Sequence, residues 1–244
     1  MSDALTARQT QILKSIVEEY IDTAAAVGSE TLDKKYNLGI SSATIRNEMV
    51  SLTKAGYLRQ PHTSAGRIPA PKALKFYIDQ LMEEKRMSVA DEVKTKQEVM
   101  EAKDDLDELM ADATAALAQK THALAVAALD GEDKIWHAGY ANVFSNPEFF
   151  MQPQSLSSLF SCIEQFERLH ELFFERMTGL SPVEVVFGED LGWPGFSPIG
   201  VVGTRFLLRG KNGALGIIGP ARLHYQEVIP TIRYFRNLFE EIEL

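Results

Sequence analysis

The chain has 244 residues and a mass of 27.2 kDa, which allows one large or two small domains and favours two. Hydrophobic residues at 45% and charged residues at 24% exclude a disordered or collagen-like chain. The net charge of -9 argues against a nucleic-acid partner until it is divided by position: residues 40–78 carry Arg46, Lys54, Arg59, Arg67, Lys72 and Lys75 against Glu48 alone, a net of +5 that leaves -14 elsewhere.

In chain order, Thr6 and Gln9 have the spacing of a capping box and open a first helix. Its Ile12, Leu13, Ile16, Val17, Tyr20 and Ile21 form an apolar stripe that runs to about Ala24. Ser29 caps a short second helix through Lys35, and Asn37-Leu38-Gly39 supplies a turn tolerant of left-handed backbone. Ser41 or Ser42 caps a third helix that ends near Ala55. The period then changes. Residues 57–60 read as a short strand, 61–66 as a loop and Arg67-Ile68 as a returning strand, a hairpin with a polar, basic tip. Pro71 suits the first turn of a fourth helix, in which Leu74, Tyr77, Ile78 and Leu81 keep helical spacing. Three helices followed by a hairpin make a winged helix-turn-helix over 1–79.

Residues 80–119 contain no Pro and no Gly, and they hold 11 acids against 5 bases. Met82, Val89, Val93, Met100, Leu106, Met110, Ala113 and Leu117 recur at near-helical spacing, so one long helix or two is expected as a connector. Lys96 and Lys103 interrupt this seam, which leaves open whether it dimerises or packs on the following domain. Residues 120–244 have α+β character. Strands are expected over 121–129, 134–143 and 183–188, a helix over 156–177, and strands over 201–208 and 214–218 joined at the hairpin signal Asn212-Gly213. A closing helix starts at Tyr225. The longest strongly apolar stretch, 123–129, is far shorter than the roughly 18 residues of a membrane span. Asp3, Arg8 and Glu18 lack the order of a secretory signal, and the lone Cys162 cannot form an internal disulfide, so a cytoplasmic protein without membrane contact is expected.

Catalytic and metal motifs fail on inspection. His170-Glu171 opens like a zinc-protease helix, but Phe174 stands where the second ligand belongs. Gly210, Gly213, Gly216 and Gly219 do not fit a phosphate loop, and neither Ser64 nor Ser197 completes Gly-x-Ser-x-Gly. His62, His122, His137, His170 and His224 show no metal pairing, and Cys162 reads as a buried structural residue. No catalytic residue, metal or cofactor is expected.

The third helix is different. With Ile45, Met49 and Leu52 toward the core, Ala43, Asn47, Val50 and Lys54 fall on the opposite side at 100° per residue, flanked by Thr44, Arg46 and Ser51. Asn47 can bond adenine N6 and N7 together, Arg46 can bond guanine or phosphate, and small Ala43 and Thr44 allow close approach. The Ser41 and Ser42 hydroxyls and the free N–H groups of the helix start suit a phosphate. Such a patch on an acidic body approaches DNA while the rest of the molecule repels it. The expected DNA-binding set is Ser41, Ser42, Ala43, Thr44, Arg46, Asn47 and Lys54 from the helix, with Arg59, His62, Thr63, Ser64, Gly66 and Arg67 from the wing.

These segments resemble the heat-inducible transcription repressors, the HrcA family. The likeness rests on Gly28-Ser29-Glu30-Thr31-Leu32, on Ser41-Ser42-Ala43-Thr44-Ile45-Arg46-Asn47-Glu48-Met49, on Gly56-Tyr57-Leu58 and on Gln60-Pro61-His62-Thr63-Ser64-Ala65-Gly66-Arg67-Ile68-Pro69. A looser match covers 142–149, with its Asn146-Pro147-Glu148-Phe149, and 216–225, where Ala221 and Leu223 replace the usual Thr and Met. The resemblance implies a GAF-like C-terminal domain over 120–244, and a shortened member: Glu132-Asp133-Lys134 follows Leu129 almost at once, where the family carries an inserted dimerisation region. It further implies a repressor of heat-shock chaperone operons that binds an inverted-repeat, CIRCE-type operator in double-stranded DNA as a homodimer, released by heat and dependent on a GroEL-type chaperonin. A sequence of this shape also admits a winged helix that docks on protein, with a GAF-like domain that senses a small molecule.

Overall fold

The capping box forms as its spacing requires: the Gln9 backbone N–H donates to Thr6 Oγ1 at 3.2 Å, and the Thr6 N–H donates to Gln9 Oε1 at 3.1 Å. In the computed structural model, which describes residues 5–132 and 134–243, helix α1 (Ala7–Thr23) follows from this cap; Asp3 and Asp133 lie outside the described residues. The chain divides between Glu83 and Glu84 into two units.

In the first unit, α1 is followed by α2 (Ser29–Tyr36), α3 (Ser42–Lys54), the strands β1 (Leu58–Arg59) and β2 (Ile68–Pro69), and α4 (Pro71–Gln80). The cap expected at Ser29 is corrected: Gly28 holds the cap position without a side-chain bond, Ser29 is already helical with its hydroxyl turned to Ser42, and α2 runs one residue past Lys35. The apolar stripe of α1 closes on Leu32, Ile45, Met49, Leu52, Leu74 and Tyr77, all buried. Each fully buried aliphatic side chain in such a core contributes about 1.5–3 kcal/mol. A buried acid sits at its margin. Glu19 accepts from Lys35 Nζ at 2.5 Å and from the Tyr36 hydroxyl at 2.9 Å, which ties α1 to the end of α2. The Lys35 bond, with help from Tyr36, holds the Glu19 carboxyl below the usual carboxylate range. The strands β1 and β2 pair antiparallel, Leu58 with Pro69 and Arg59 with Ile68, so the hairpin is present but set one residue later on its return than expected.

The second unit contains the segment read as a connector from Glu84 onward, while residues 80–83 fall in the first. The segment forms two helices, α5 (Val89–Glu101) and α6 (Leu106–Thr121), because Asp105 caps α6 by accepting from the Asp107 and Glu108 N–H groups, at 2.9 and 3.1 Å, and so interrupts the run. The five-stranded antiparallel sheet contains β3 (Leu124–Leu129), β4 (Ile135–Ala138), β5 (Glu184–Phe187), β6 (Ile199–Leu208) and β7 (Lys211–Pro220), in the order β4-β3-β7-β6-β5. Short helices α7 (Tyr140–Val143), α8 (Pro147–Met151), α9 (Pro153–Glu164), α10 (Phe166–His170) and α11 (Gly188–Leu191) and the closing helix α12 (Tyr225–Glu243) complete the unit, a GAF-like α+β arrangement. One sheet face carries Val126, Val201 and Ile218 against Leu159, Phe173 and Met177. The other meets α6 and α12, where the Phe206 ring stacks on Phe239 at 4.2 Å between centroids. Coverage on both faces explains why β3 is an unbroken apolar run and fully buried.

Several expected elements are corrected here. The strand expected over 121–129 starts only at Leu124, since α6 runs to Thr121 and His122 ends it in left-handed backbone, φ 49°. The strand over 134–143 stops at Ala138: Gly139 turns at φ 88°, where a Cβ would lie 2.4 Å from the Ala123 carbonyl oxygen. The helix over 156–177 is three pieces, broken by extended Gln165 and finished by a π-helical turn, Glu171–Arg176. The β6–β7 hairpin turns at Arg209-Gly210, both at positive φ, with Leu208 paired to Lys211; Asn212-Gly213 lies inside β7. Gly213 is needed there because a Cβ would come within 2.3 Å of the Phe206 ring. Pro230 lies inside α12 and has no N–H to give the Gln226 carbonyl, which instead accepts the Lys85 backbone N–H at 2.8 Å. Glu84 beside it pairs with both terminal nitrogens of Arg233, at 2.6 and 2.8 Å. Of the C-terminal phenylalanines, Phe149, Phe173, Phe187, Phe196 and Phe206 are buried and Phe150 is exposed.

Candidate nucleic-acid interface

Ser41 is the N-cap of α3: its extended backbone stops the preceding turn, and its Oγ accepts the Thr44 N–H at 3.2 Å. Ser42 Oγ donates to Ser29 Oγ at 3.0 Å, which fixes the start of α3 against the start of α2. From that start the 100° period operates as expected. Ile45, Met49 and Leu52 are buried, and Ala43, Arg46, Asn47, Val50, Ser51 and Lys54 are exposed. Among the described residues, Arg46, Asn47 and Lys54 make no side-chain hydrogen bond or ion pair, so their polar ends are available to an incoming groove. Glu48, the single acid of the basic segment, is turned the other way. It accepts from Gln9 Nε2 at 3.1 Å and lies 3.6 Å from Arg8 Nη1, so its charge does not oppose an anion at the outer face.

The wing is held by its own side chains. Gln60 Nε2 donates to the Thr63 and Ala65 carbonyls, at 2.8 and 3.1 Å, and the Ala65 N–H donates to the His62 carbonyl at 2.9 Å. His62 Nδ1 lies 3.2 Å from Ser64 Oγ, and Pro61 to Ser64 present an exposed tip. The wing base is stapled to the segment before α2: Val27 and Arg67 exchange two backbone hydrogen bonds of 2.8 Å each. Gly66 allows this approach. A Cβ on it would lie 2.3 Å from the Val27 carbonyl oxygen and 2.9 Å from the Gly28 nitrogen.

The expected site residues therefore separate into groups. Ala43, Arg46, Asn47 and Lys54 share one exposed face, Arg59 is exposed on β1, and His62, Thr63 and Ser64 form the wing tip. Ser41, Ser42 and Thr44 shape the start of α3. Gly66 and Arg67 sit inside the wing base. The Arg67 guanidinium turns inward, Nε donating to Thr53 Oγ1 at 3.1 Å and Nη1 to the Gly66 carbonyl at 3.3 Å. A cleft of about 380 Å³ between wing and helices is lined by Ser29, Arg46, Gln60, Ser64 and Arg67 among others. Gln60, Ser29 and Val27 were not anticipated as parts of this construction. A glutamine directly before a turn proline is a signal that could have marked Gln60 as a loop brace. Among the described residues, no group of His, Cys, Asp and Glu side chains is arranged to hold a metal ion, and no helix is long and apolar enough to cross a membrane. Burial pushes the Cys162 thiol up to about 12, which keeps it protonated and unreactive.

The family model described as HrcA protein C terminal domain matches residues 40–229. The heat-inducible transcription repressor HrcA of Acetivibrio thermocellus is 45% identical over 126 residues, which covers 51% of this chain and 36% of that protein. The protein of the same name from Carboxydothermus hydrogenoformans is 27% identical over an alignment of 335 positions that covers 96% of this chain and 97% of that one. An alignment so much longer than 244 residues passes over stretches that this chain lacks. A crystal structure of a hypothetical protein superposes over 98% of both chains with a TM-score of 0.72 at 18% identity, which supports the fold.

Proposed function

Since the chain belongs to the HrcA family, we propose that it is a cytoplasmic, DNA-binding repressor of heat-shock genes that acts by binding rather than catalysis. The observation that carries this reading is the exposed face of α3, where Arg46, Asn47 and Lys54 stand without protein partners beside a Ser41-capped helix start. In this reading α3 enters the major groove, Asn47 and Arg46 read base edges, and Lys54, Arg59 and the wing tip of His62, Thr63 and Ser64 hold the phosphate backbone. The hydroxyls of Ser41, Ser42 and Thr44 set the helix start against a phosphate, and Ala43 gives room for it. Gly66 and Arg67 keep the wing in place. One winged helix reads one half-site, so an inverted-repeat operator of the CIRCE type calls for a homodimer. Heat would relieve repression, and a GroEL-type chaperonin would restore the active form.

Retardation of an inverted-repeat duplex by the purified chain, competed poorly by random DNA, supports the reading; equal competition by random DNA refutes it. Sedimentation at tens of micromolar, with and without the duplex, tests the dimer, and a monomer under both conditions refutes that part. Operator binding that is lost on mild heating and returns faster with chaperonin and ATP supports chaperonin dependence, whereas equal recovery without chaperonin refutes it.

A further inference from the structure

The second unit contains a cavity of about 410 Å³, bounded by the start of β3, α7, the end of β7 and the first turns of α12. Its floor is apolar, with Leu124, Val143, Ile218, Leu223 and Val228 all buried. Its mouth is polar, with Lys120, His122, His224 and Glu227. A second cleft of about 460 Å³ shares Lys120, His122, Glu227 and Thr231 with it and adds Lys85, Arg86 and Lys94. The two form one groove with an apolar end and a cationic end.

The charge of this groove runs against its surroundings. Residues 84–244 hold 25 acids and 15 bases, a net of -10. The groove lining nevertheless carries Lys85, Arg86, Lys94, Lys120 and Arg222 against only Asp91 and Glu227. Four of these five cations, Arg222 among them, are engaged with carboxylates: Lys120 pairs with Asp91 at 2.6 Å, Lys85 with Glu227 at 3.6 Å and Lys94 with Glu98 at 3.7 Å. Arg222 pairs with the largely buried Glu148 and lies 3.5 Å from Asn146 Oδ1, which brings the downstream segments at 142–149 and 216–225 together as one wall. The imidazoles are not engaged. Among the described residues, neither the His122 nor the His224 ring makes a hydrogen bond or ion pair, although His122 is held in left-handed backbone that glycine adopts more readily.

We infer that this groove binds a small organic anion, with its apolar body over Leu124, Ile218 and Val228 and its carboxylate or phosphate group between Lys120, His122 and His224. The cavity volume falls within the range that encloses small ligands, and a few convergent polar groups over an apolar floor fix orientation. The inference stands apart from DNA binding by the first unit.

Calorimetric titration of the full chain with hexanoate, hexyl phosphate and uncharged hexanamide tests it. The expected result is saturable binding of at least one anion, with hexanamide weaker by about tenfold or more, as loss of a charge-assisted bond requires. Binding of only one anion also supports the inference and identifies the head group. His122→Gly relieves the left-handed backbone and so keeps the fold, yet should weaken anion binding by about tenfold. His224→Ala should do the same, while Arg176→Gln, at an exposed pair with Glu171 outside the groove, should leave it unchanged. Absence of saturable anion binding, equal binding of hexanamide, or full affinity in both histidine variants would overturn it.

Discussion

Gly66→Ala tests how the wing is held. The added Cβ meets backbone rather than a side chain, at 2.3 Å from the Val27 oxygen and 2.5 Å from the Val27 carbonyl carbon, so no rotamer change relieves it. Ordinary contact lies near 3.5 Å, so the two segments must separate by roughly 1 Å. The two Val27–Arg67 hydrogen bonds, now 2.8 Å each, would then lengthen past the roughly 3.5 Å at which a hydrogen bond ceases to count. At about 0.5–1.5 kcal/mol net per bond, the loss is about 1–3 kcal/mol of local stability. Amide hydrogen exchange on the full chain reads this directly: protection of the Val27 and Arg67 amides should fall by about 5- to 150-fold, with α3 unaffected. Affinity for duplex DNA should fall with it. Unchanged protection of both amides in the variant would refute the role of Gly66 as the contact that permits the staple.

Asn47→Ala should cost about 1–3 kcal/mol on a cognate duplex and little on random DNA, whereas Lys54→Ala should weaken both and lower the salt slope by about one unit; equal losses in the Asn47 variant on both duplexes would count against base reading. Glu19 has a carboxyl pKa lowered in the fold, first by Lys35 and then by Tyr36, so its contribution to stability is complete above the unfolded value near pH 4.3 and is lost as pH falls through the folded value. Urea midpoints should therefore drop more steeply on acidification in the native chain than in Glu19→Gln, and parallel curves would remove the buried acid from the account. Gly213→Ala should destabilise the second unit by about 1–3 kcal/mol in chemical denaturation, because Phe206 is held against Phe239 and cannot swing away. Phe206→Leu in the same chain should recover part of that loss, and no recovery would point to a different cause.

Much of the first unit was legible because its signals are local. The Thr6–Gln9 cap and the 3.6-residue period of α3 depend on neighbours three or four positions away and appear in the structure as the sequence implies, and of the two serines open as the α3 cap it is Ser41 that serves. The second unit is governed by contacts distant in sequence. Asn212-Gly213 looks like a hairpin turn, but Gly213 serves the Phe206 ring, while Arg209-Gly210 makes the turn. A dipeptide does not reveal which of two glycines has a neighbour pressed against it. The same limit applies within the site. The outward face of α3 follows from periodicity alone, whereas the inward turn of Arg67 depends on Thr53, which stands opposite it only after the wing has folded back.

Pro230 shows a helix breaker used as an attachment point. By withholding its N–H it leaves a carbonyl open in the middle of α12, and the irregular segment that opens the second unit fastens there through Lys85 as a strand would fasten to a sheet edge. Replacing the proline with alanine would give a more regular helix whose own amide competes for that carbonyl. Helix propensity and the anchoring of Lys85 are therefore opposed at this one position, and a substitution that improves the first does so by evicting the second.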